Sequence, residues 1–215
     1  MKAAIFDLDG TLVDSAPDIT HAVNRMLADR GAPAQEVSFI ETLVGEGARA
    51  LVAKLHRALD LPAEDVDRDT RIYLDYYAAR PVAESRLYAD AATALPALRA
   101  AGIRLGVCTN KPQALAEQVL DRLGLLAHLS AVVGADTTPH VKPDPRPLLH
   151  TLDALGAAPG EAVYVGDTGI DLACARAAGV PCRIVDWGTG RAVPVEDSAR
   201  LARFGDLLPA SVPAA

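Results

Sequence analysis

Two aspartates one residue apart interrupt the first apolar run of the chain, AIFDLDGT at residues 4–11. On an extended backbone, side chains at i and i+2 point to the same side, so Asp7 and Asp9 address one region. A carboxylate so placed can attack a phosphoryl group and carry it as an aspartyl-phosphate, while its neighbour handles a proton. Release of an alcohol requires Asp9 to hold that proton, and carboxylates crowded together cannot all ionise. GDTGID at 166–171 adds Asp167 and Asp171. Aspartates from two strands offer hard oxygens to Mg²⁺, which keeps several waters and accepts phosphate oxygens. VCTN at 107–110 and KPDP at 142–145 add Thr109, Asn110 and Lys142, donors that can balance phosphoryl charge. The amides of a helix beginning near Lys111 strengthen that set.

Each segment also has a plain reading. DG is a strong turn pair, and Thr109-Asn110-Lys111-Pro112 suits a helix start. Lys142 suits a solvated surface, and GDTGID suits a loop ending in an N-cap. Those readings leave the positions of the four segments unexplained. Short apolar runs recur at 3–6, 103–108, 130–134, 162–166 and 182–187. Most are too short for helices and do not alternate cleanly, as strands covered on both faces read. Helical patterns at 114–124, 147–156 and 171–179 lie between them, each ending in glycine. This order predicts a parallel sheet with right-handed crossovers, whose ligands bind beyond the carboxyl ends of the strands. Asp7 and Asp9 follow the first strand, Thr109 to Lys111 the second, Lys142 a loop after the third, and Asp167 and Asp171 the fourth. Four strand ends suited to one job outweigh the plain readings.

Residues 16–82 break the rhythm. DITHAVNRMLADRG (18–31) places Ile19, Ala22, Val23, Met26 and Leu27 on one helical face, and Gly31 stops it. No strand pattern occurs in this segment. The expected class is α/β: a doubly wound, Rossmann-like parallel-sheet core from residues 1–15 and 83–215, with an inserted all-helical cap domain at 16–82. Hinges are expected near 13–17 and 80–87, and the C-terminal ASVPAA reads as a frayed tail.

Composition narrows the partners. The 215 residues are 50% hydrophobic and 23% charged, the balance of a globular protein. A net charge of -7 disfavours nucleic acid or an anionic membrane as partner, so an anionic ligand needs cations placed locally. No apolar run approaches the roughly 18 residues of a membrane span, and MKAAIFDLDG lacks a signal-peptide pattern. Cys108, Cys174 and Cys182 have no metal-type spacing and read as reduced thiols in a cytoplasmic protein, monomeric or homodimeric. Four lysines stand against seventeen arginines, which adds some weight to the two that follow strands, Lys111 and Lys142.

DLDGT at 7–11, the threonine of VCTN, KPDP at 142–145 and GDTGID at 166–171 together resemble the haloacid dehalogenase superfamily of phosphatases, over the whole chain. The resemblance implies Asp7 as nucleophile, Asp9 as general acid and base, and Thr109 and Lys142 as phosphate ligands. It implies Mg²⁺ held by Asp7, the Asp9 backbone carbonyl and Asp167, with Asp171 in support. The helical insertion becomes a mobile cap that closes over substrate and excludes water. DSAPDITHAVNRML (14–27), VGEGARALV (44–52) and TNKP (109–112) are similar to the phosphoglycolate phosphatase branch. The implied substrate is therefore a small phosphomonoester, 2-phosphoglycolate, split into glycolate and phosphate. In that branch VGEGAR is the specificity element, with Gly45, Glu46, Gly47 and Arg49 over the site; its plain reading is an interhelical turn. The chain departs from the branch at Glu46, where an amide is common, at Tyr88-Ala89-Asp90 in place of Tyr-Pro-Gly, and at Thr168 in place of serine. A carboxylate at 46 repels a phosphorylated acid unless Arg49 or Lys54 pairs with it.

Other activities share parts of this pattern. Another small-metabolite phosphatase, a pyrophosphatase or a phosphomutase would use the same strand ends. A hydrolytic dehalogenase has no use for Asp9 or for a Mg²⁺ set. A non-enzymatic phospho-aspartate receiver switch combines strand-end acids, threonine and lysine on a similar sheet, but is shorter and lacks the insertion.

Overall fold

The computed structural model describes residues 1–209; the ASVPAA segment lies outside the described residues. In chain order the elements are β1 (Ala3–Phe6), β2 (Val13–Asp14), α1 (Ala16–Asp29), α2 (Val37–Glu41), α3 (Ala48–Ala58), α4 (Val66–Ala79) and β3 (Arg86–Leu87). There follow α5 (Ala91–Ala100), β4 (Arg104–Cys108), α6 (Gln113–Arg122), β5 (Ala131–Val133), α7 (Arg146–Leu155), β6 (Ala162–Gly166), α8 (Gly169–Ala178), β7 (Cys182–Val185) and β8 (Arg200–Leu201). Six strands form one sheet in the order β5-β4-β1-β6-β7-β8, with every pairing parallel. This is the doubly wound, Rossmann-like core, interrupted after β2 by an all-helical segment.

Burial explains why so few residues suffice for each strand. All four residues of β1 and all five of β6 are buried, and Phe6 sits between Val107 and Val165. Side-chain alternation splits β1 between the two faces: Ala3 and Ile5 join Tyr164, Leu148 and Cys174 on one side, while Ala4 and Phe6 join Val107 and Val165 on the other. Covering a side chain such as Phe6 or Ile5 contributes about 1.5–3 kcal/mol. The strand order reverses at β1, with β4 on one side and β6 on the other, so the crevice for a ligand opens beyond Phe6.

The second face continues into the helical segment. Ile19, Val23, Met26 and Leu27 on α1, Val52 and Leu55 on α3, and Tyr73 and Tyr77 on α4 belong to the same apolar cluster as Phe6. The two chain crossings between sheet and helices are tied together. Val13–Asp14 pairs antiparallel with Arg86–Leu87. The buried Asp18 carboxylate accepts from the backbone amides of Ala83, Glu84 and Ser85 and from Ser85 Oγ at 2.6 Å. Burial opposes its charge, yet these donors hold its carboxyl below the ordinary range.

Three short elements escape a reading by pattern. β2, β3 and β8 have two residues each, too few for periodicity. α5 carries Pro96 in its interior, a residue that normally marks a helix boundary.

Candidate active site

Asp7 stands one residue past β1 and extends its ladder, its amide donating to the Val165 carbonyl at 2.8 Å. The chain then turns at Gly10, whose φ of +82° places it in the left-handed region. A Cβ there would lie 2.2 Å from Asp167 Oδ2, so glycine alone lets the loop pass this close to the carboxylate. Asp9 accepts from Ser15 Oγ at 2.6 Å and from Lys111 Nζ at 2.9 and 3.0 Å, one contact to each of its oxygens.

Beyond β4, Thr109 continues the sheet through its amide to the Val133 carbonyl and is buried. Asn110 is also buried, but its amide is occupied. It donates to the carbonyls of Gly45 and Lys142 at 3.0 Å and accepts from the Lys142 amide at 2.9 Å. Its side chain thus joins the two loops that face each other across the site. Lys142 is fully buried, not solvated, and its Nζ lies 2.7 Å from Asp171, 2.9 Å from Tyr164 Oη and 2.9 Å from Asp7 Oδ1.

The acids beyond β6 divide their work. Asp171, in the first turn of α8, packs back against the strand end, where a Cβ on Gly166 would lie 2.3 Å from its own Cβ. Both its oxygens are taken, Oδ1 by Lys142 and Tyr164, and Oδ2 by Thr168 Oγ1 and the amides of Asp167 and Thr168. Burial disfavours its charge, but Lys142 and these donors hold its carboxyl below the ordinary range. Asp167 accepts from Thr11 Oγ1 at 2.9 Å and from Thr189 Oγ1. With no cation of its own, burial and then Asp171 and Asp7 push it up to about 8. Burial likewise raises Asp7 to about 6, against the pull of Lys142.

Asp7, Asp167 and Asp171 present oxygens within 4.8 Å of one another. Asp7 Oδ1 is buried and makes no aligned hydrogen bond, despite its closeness to Lys142. Three buried carboxylates against one ammonium leave surplus negative charge that protons or a cation must balance. The donor set is all oxygen, which fits Mg²⁺.

The 44–49 loop faces this cluster with uncharged residues. Gly45 and Gly47 line the cleft beside Asp7, Asp9 and Lys111. Glu46 and Arg49 do not: Glu46 pairs with Lys54 at 2.7 Å, and Arg49 pairs with Asp67 on the exposed surface. The apolar wall of the cleft is built by Leu51, Tyr73 and Tyr77.

The sequence pattern of the haloacid dehalogenase-like hydrolases matches residues 4–185, which span every one of these strand ends. The chain belongs to that family. Among curated relatives it is 44% identical to a phosphoglycolate phosphatase of Rhodospirillum rubrum, over 95% of this chain and 87% of the relative. It is 37% identical to one of Yersinia pseudotuberculosis, over 98% and 93%. Among solved structures it superposes on a predicted phosphoglycolate phosphatase from Haemophilus somnus with a TM-score of 0.82 and 28% identity, covering 96% of each chain. A HAD-superfamily hydrolase of subfamily IA from Geobacter sulfurreducens gives 0.72 and 26%, covering 96% of this chain and 94% of that one.

Within this hydrolase fold, several residues at the site have no role that the sequence pattern assigns. Thr11 and Ser15 lie inside DLDGT and DSAPDITHAVNRML with no role of their own in the pattern, and Tyr164 lies in the apolar run 162–166. Lys111 carries a signal, as a rare lysine two residues after Thr109, yet TNKP equally suits a helix start. Thr189 carries none, because tertiary packing alone brings it to Asp167. Trp187 stacks edge-on to Phe204 at 5.1 Å and donates to the Thr11 carbonyl, which anchors the 186–190 turn over the site. Among the described residues no helix is long and apolar enough to cross a membrane.

Proposed function

We propose that this hydrolase cleaves 2-phosphoglycolate to glycolate and phosphate, with Asp7 as nucleophile and Asp9 as general acid and base. The observation that carries the reading is the tip of β1, where Asp7 stands buried beside Lys142 with one oxygen free of aligned hydrogen bonds. Asp7 attacks phosphorus, the bond from phosphorus to the glycolate oxygen breaks, and Asp9 gives that oxygen its proton. Asp9 then takes a proton from the water that attacks the aspartyl-phosphate, and release of phosphate restores Asp7. Thr109 and Lys142 hold phosphoryl oxygens, and the Asn110 side chain braces the loops around them. Asp7, Asp167 and the Asp9 backbone carbonyl would hold Mg²⁺, with Asp171 steadying Lys142. When bound, Mg²⁺ supplies positive charge to the transferring phosphoryl group.

Residues 16–82 act in this reading as the cap, with the paired crossings at Val13–Asp14 and Arg86–Leu87 as its base. The substrate assignment is supported by the relatives named above and by the pairing of Glu46 with Lys54, which removes the objection that its charge would repel a phosphorylated acid. Three unpaired thiols support a reducing, cytoplasmic setting, in which the enzyme works as a monomer or homodimer. Phosphate release from 2-phosphoglycolate, a hexose phosphate and pyrophosphate, with Mg²⁺ and with EDTA, tests the reading. Mg²⁺-dependent release greatest from 2-phosphoglycolate is expected. Release greatest from another of these compounds would move the substrate, and none from any would overturn the reading.

A further inference from the structure

Lys111 is a buried cation that the phosphoryl chemistry leaves unused. Its Nζ reaches both oxygens of Asp9, at 2.9 and 3.0 Å, and lies 4.2 Å from the centre of the Tyr77 ring on α4. The ammonium therefore sits between the end of β4 and the helical segment, in the cleft where the part of the substrate beyond phosphorus must lie. Among the described residues lining that cleft, Lys111 is the one cation. Lys142 is committed to Asp7 and Asp171, and Lys54 and Arg49 are paired outside.

From these contacts we infer that Lys111 recognises an anionic leaving group, binding the substrate carboxylate. The inference rests on the phosphatase reading and names the group that sets its specificity. The oxygen that Asp9 must reach is the ester oxygen, and in 2-phosphoglycolate the carboxylate begins two bonds from it. The cation resting on Asp9 is therefore the nearest one to that carboxylate. In the free protein Asp9 occupies Lys111; in the complex the substrate carboxylate takes over an ammonium hydrogen bond, and Asp9 turns to the ester oxygen. Tyr77 favours the charge from its other side through its ring face, so α4 of the helical segment contributes to the subsite. A neutral leaving group offers Lys111 no anionic partner and leaves it on Asp9.

The test compares kcat/KM for 2-phosphoglycolate with that for 2-hydroxyethyl phosphate, a neutral ester of similar size, in wild type, Lys111→Met and Lys111→Gln. The wild type is expected to favour the acid, and the ratio is expected to fall about 10- to 150-fold in both variants, the range for hydrogen bonds to a charged partner. An unchanged ratio, with both rates falling together, would overturn the inference and leave Lys111 as a brace for Asp9. Calorimetry with glycolate and with ethylene glycol reads the same contact without turnover. Tighter binding of glycolate by the wild type, lost in Lys111→Met, is expected; equal affinity for the two overturns the assignment. If the wild type releases no phosphate yet binds glycolate through Lys111, the phosphatase reading fails and the subsite stands.

Discussion

At the sheet tip, Lys142, Tyr164 and Asp171 lock one another through contacts of 2.7–2.9 Å, all buried. In the 44–49 loop above it the charged side chains do the opposite: Glu46 and Arg49 turn outward to Lys54 and Asp67 and leave the uncharged Val44, Gly45, Gly47 and Ala48 lining the cleft. The difference reflects what each region must do. Charge development at phosphorus is the same for every phosphomonoester, so its countercharges can be built rigidly and in advance. A surface that meets a variable leaving group gains from a neutral, adaptable lining and one placed cation.

The strongest way to break this contrast is at Lys142. Lys142→Ala leaves Asp7 and Asp171 buried without their cation, which costs about 3–5 kcal/mol, and in the proposed reaction it also removes a phosphoryl donor. Urea midpoints and phosphate release should both fall steeply, release by about 10²-fold or more. Unchanged stability would mean that the tip is not organised by its ion pairs.

Metal removal sharpens the same point through pH. Asp7 and Asp167, raised to about 6 and about 8, keep protons in the folded, metal-free protein that the unfolded chain has already released. Stability from these two groups is full below about pH 4 and falls as pH rises through those values. A cation displaces the protons, so the gain in Tm from Mg²⁺ over EDTA should grow from pH 5 to pH 8. An equal gain at both would contradict a cation bound by these carboxylates.

At the crossings the sign reverses. The Asp18 carboxyl is held below the ordinary range by Ser85 and the neighbouring amides, with burial opposing them. Its stabilisation is present above the unfolded value of about 3.9 and is lost as pH falls through the folded one. Asp18→Asn should cost about 1–3 kcal/mol near neutrality, with a smaller gap to wild type in acid; a gap constant with pH would show the charge to be irrelevant. The smallest effect belongs to Glu46→Gln, which breaks a half-exposed pair. It should change stability by about 0–1 kcal/mol and leave the preference for 2-phosphoglycolate nearly unaltered. A large change in that preference would mean the loop turns its side chains inward during the reaction.

Placement at strand ends made Asp7, Asp9, Lys142, Asp167 and Asp171 legible from sequence, because motif and topology pointed to one crevice. Asn110 was legible as a polar strand-end residue, but not in its bonds. Whether an amide faces a ligand or joins two loops depends on where Gly45 and the Lys142 backbone arrive. VGEGAR read as a charged loop over the site; Lys54, eight residues from Glu46, and Asp67 on α4 draw its charges outward. Thr189 depended on an aromatic stack of Tyr88, Trp187 and Phe204 that no local pattern encodes. Lys111 showed its rarity and position, but its partners, Asp9 and Tyr77, lie in segments far apart in sequence.

The most direct test of the central claim is a rapid acid quench of the enzyme turning over 2-phosphoglycolate with Mg²⁺, followed by mass analysis of the peptide carrying residues 7 and 9. One phosphoryl group on Asp7 in the wild type is predicted, with none in Asp7→Asn, whose fold should remain intact while turnover drops by at least about 10⁴-fold. Turnover surviving in Asp7→Asn, or a phosphoryl group carried by any other residue, would contradict the account.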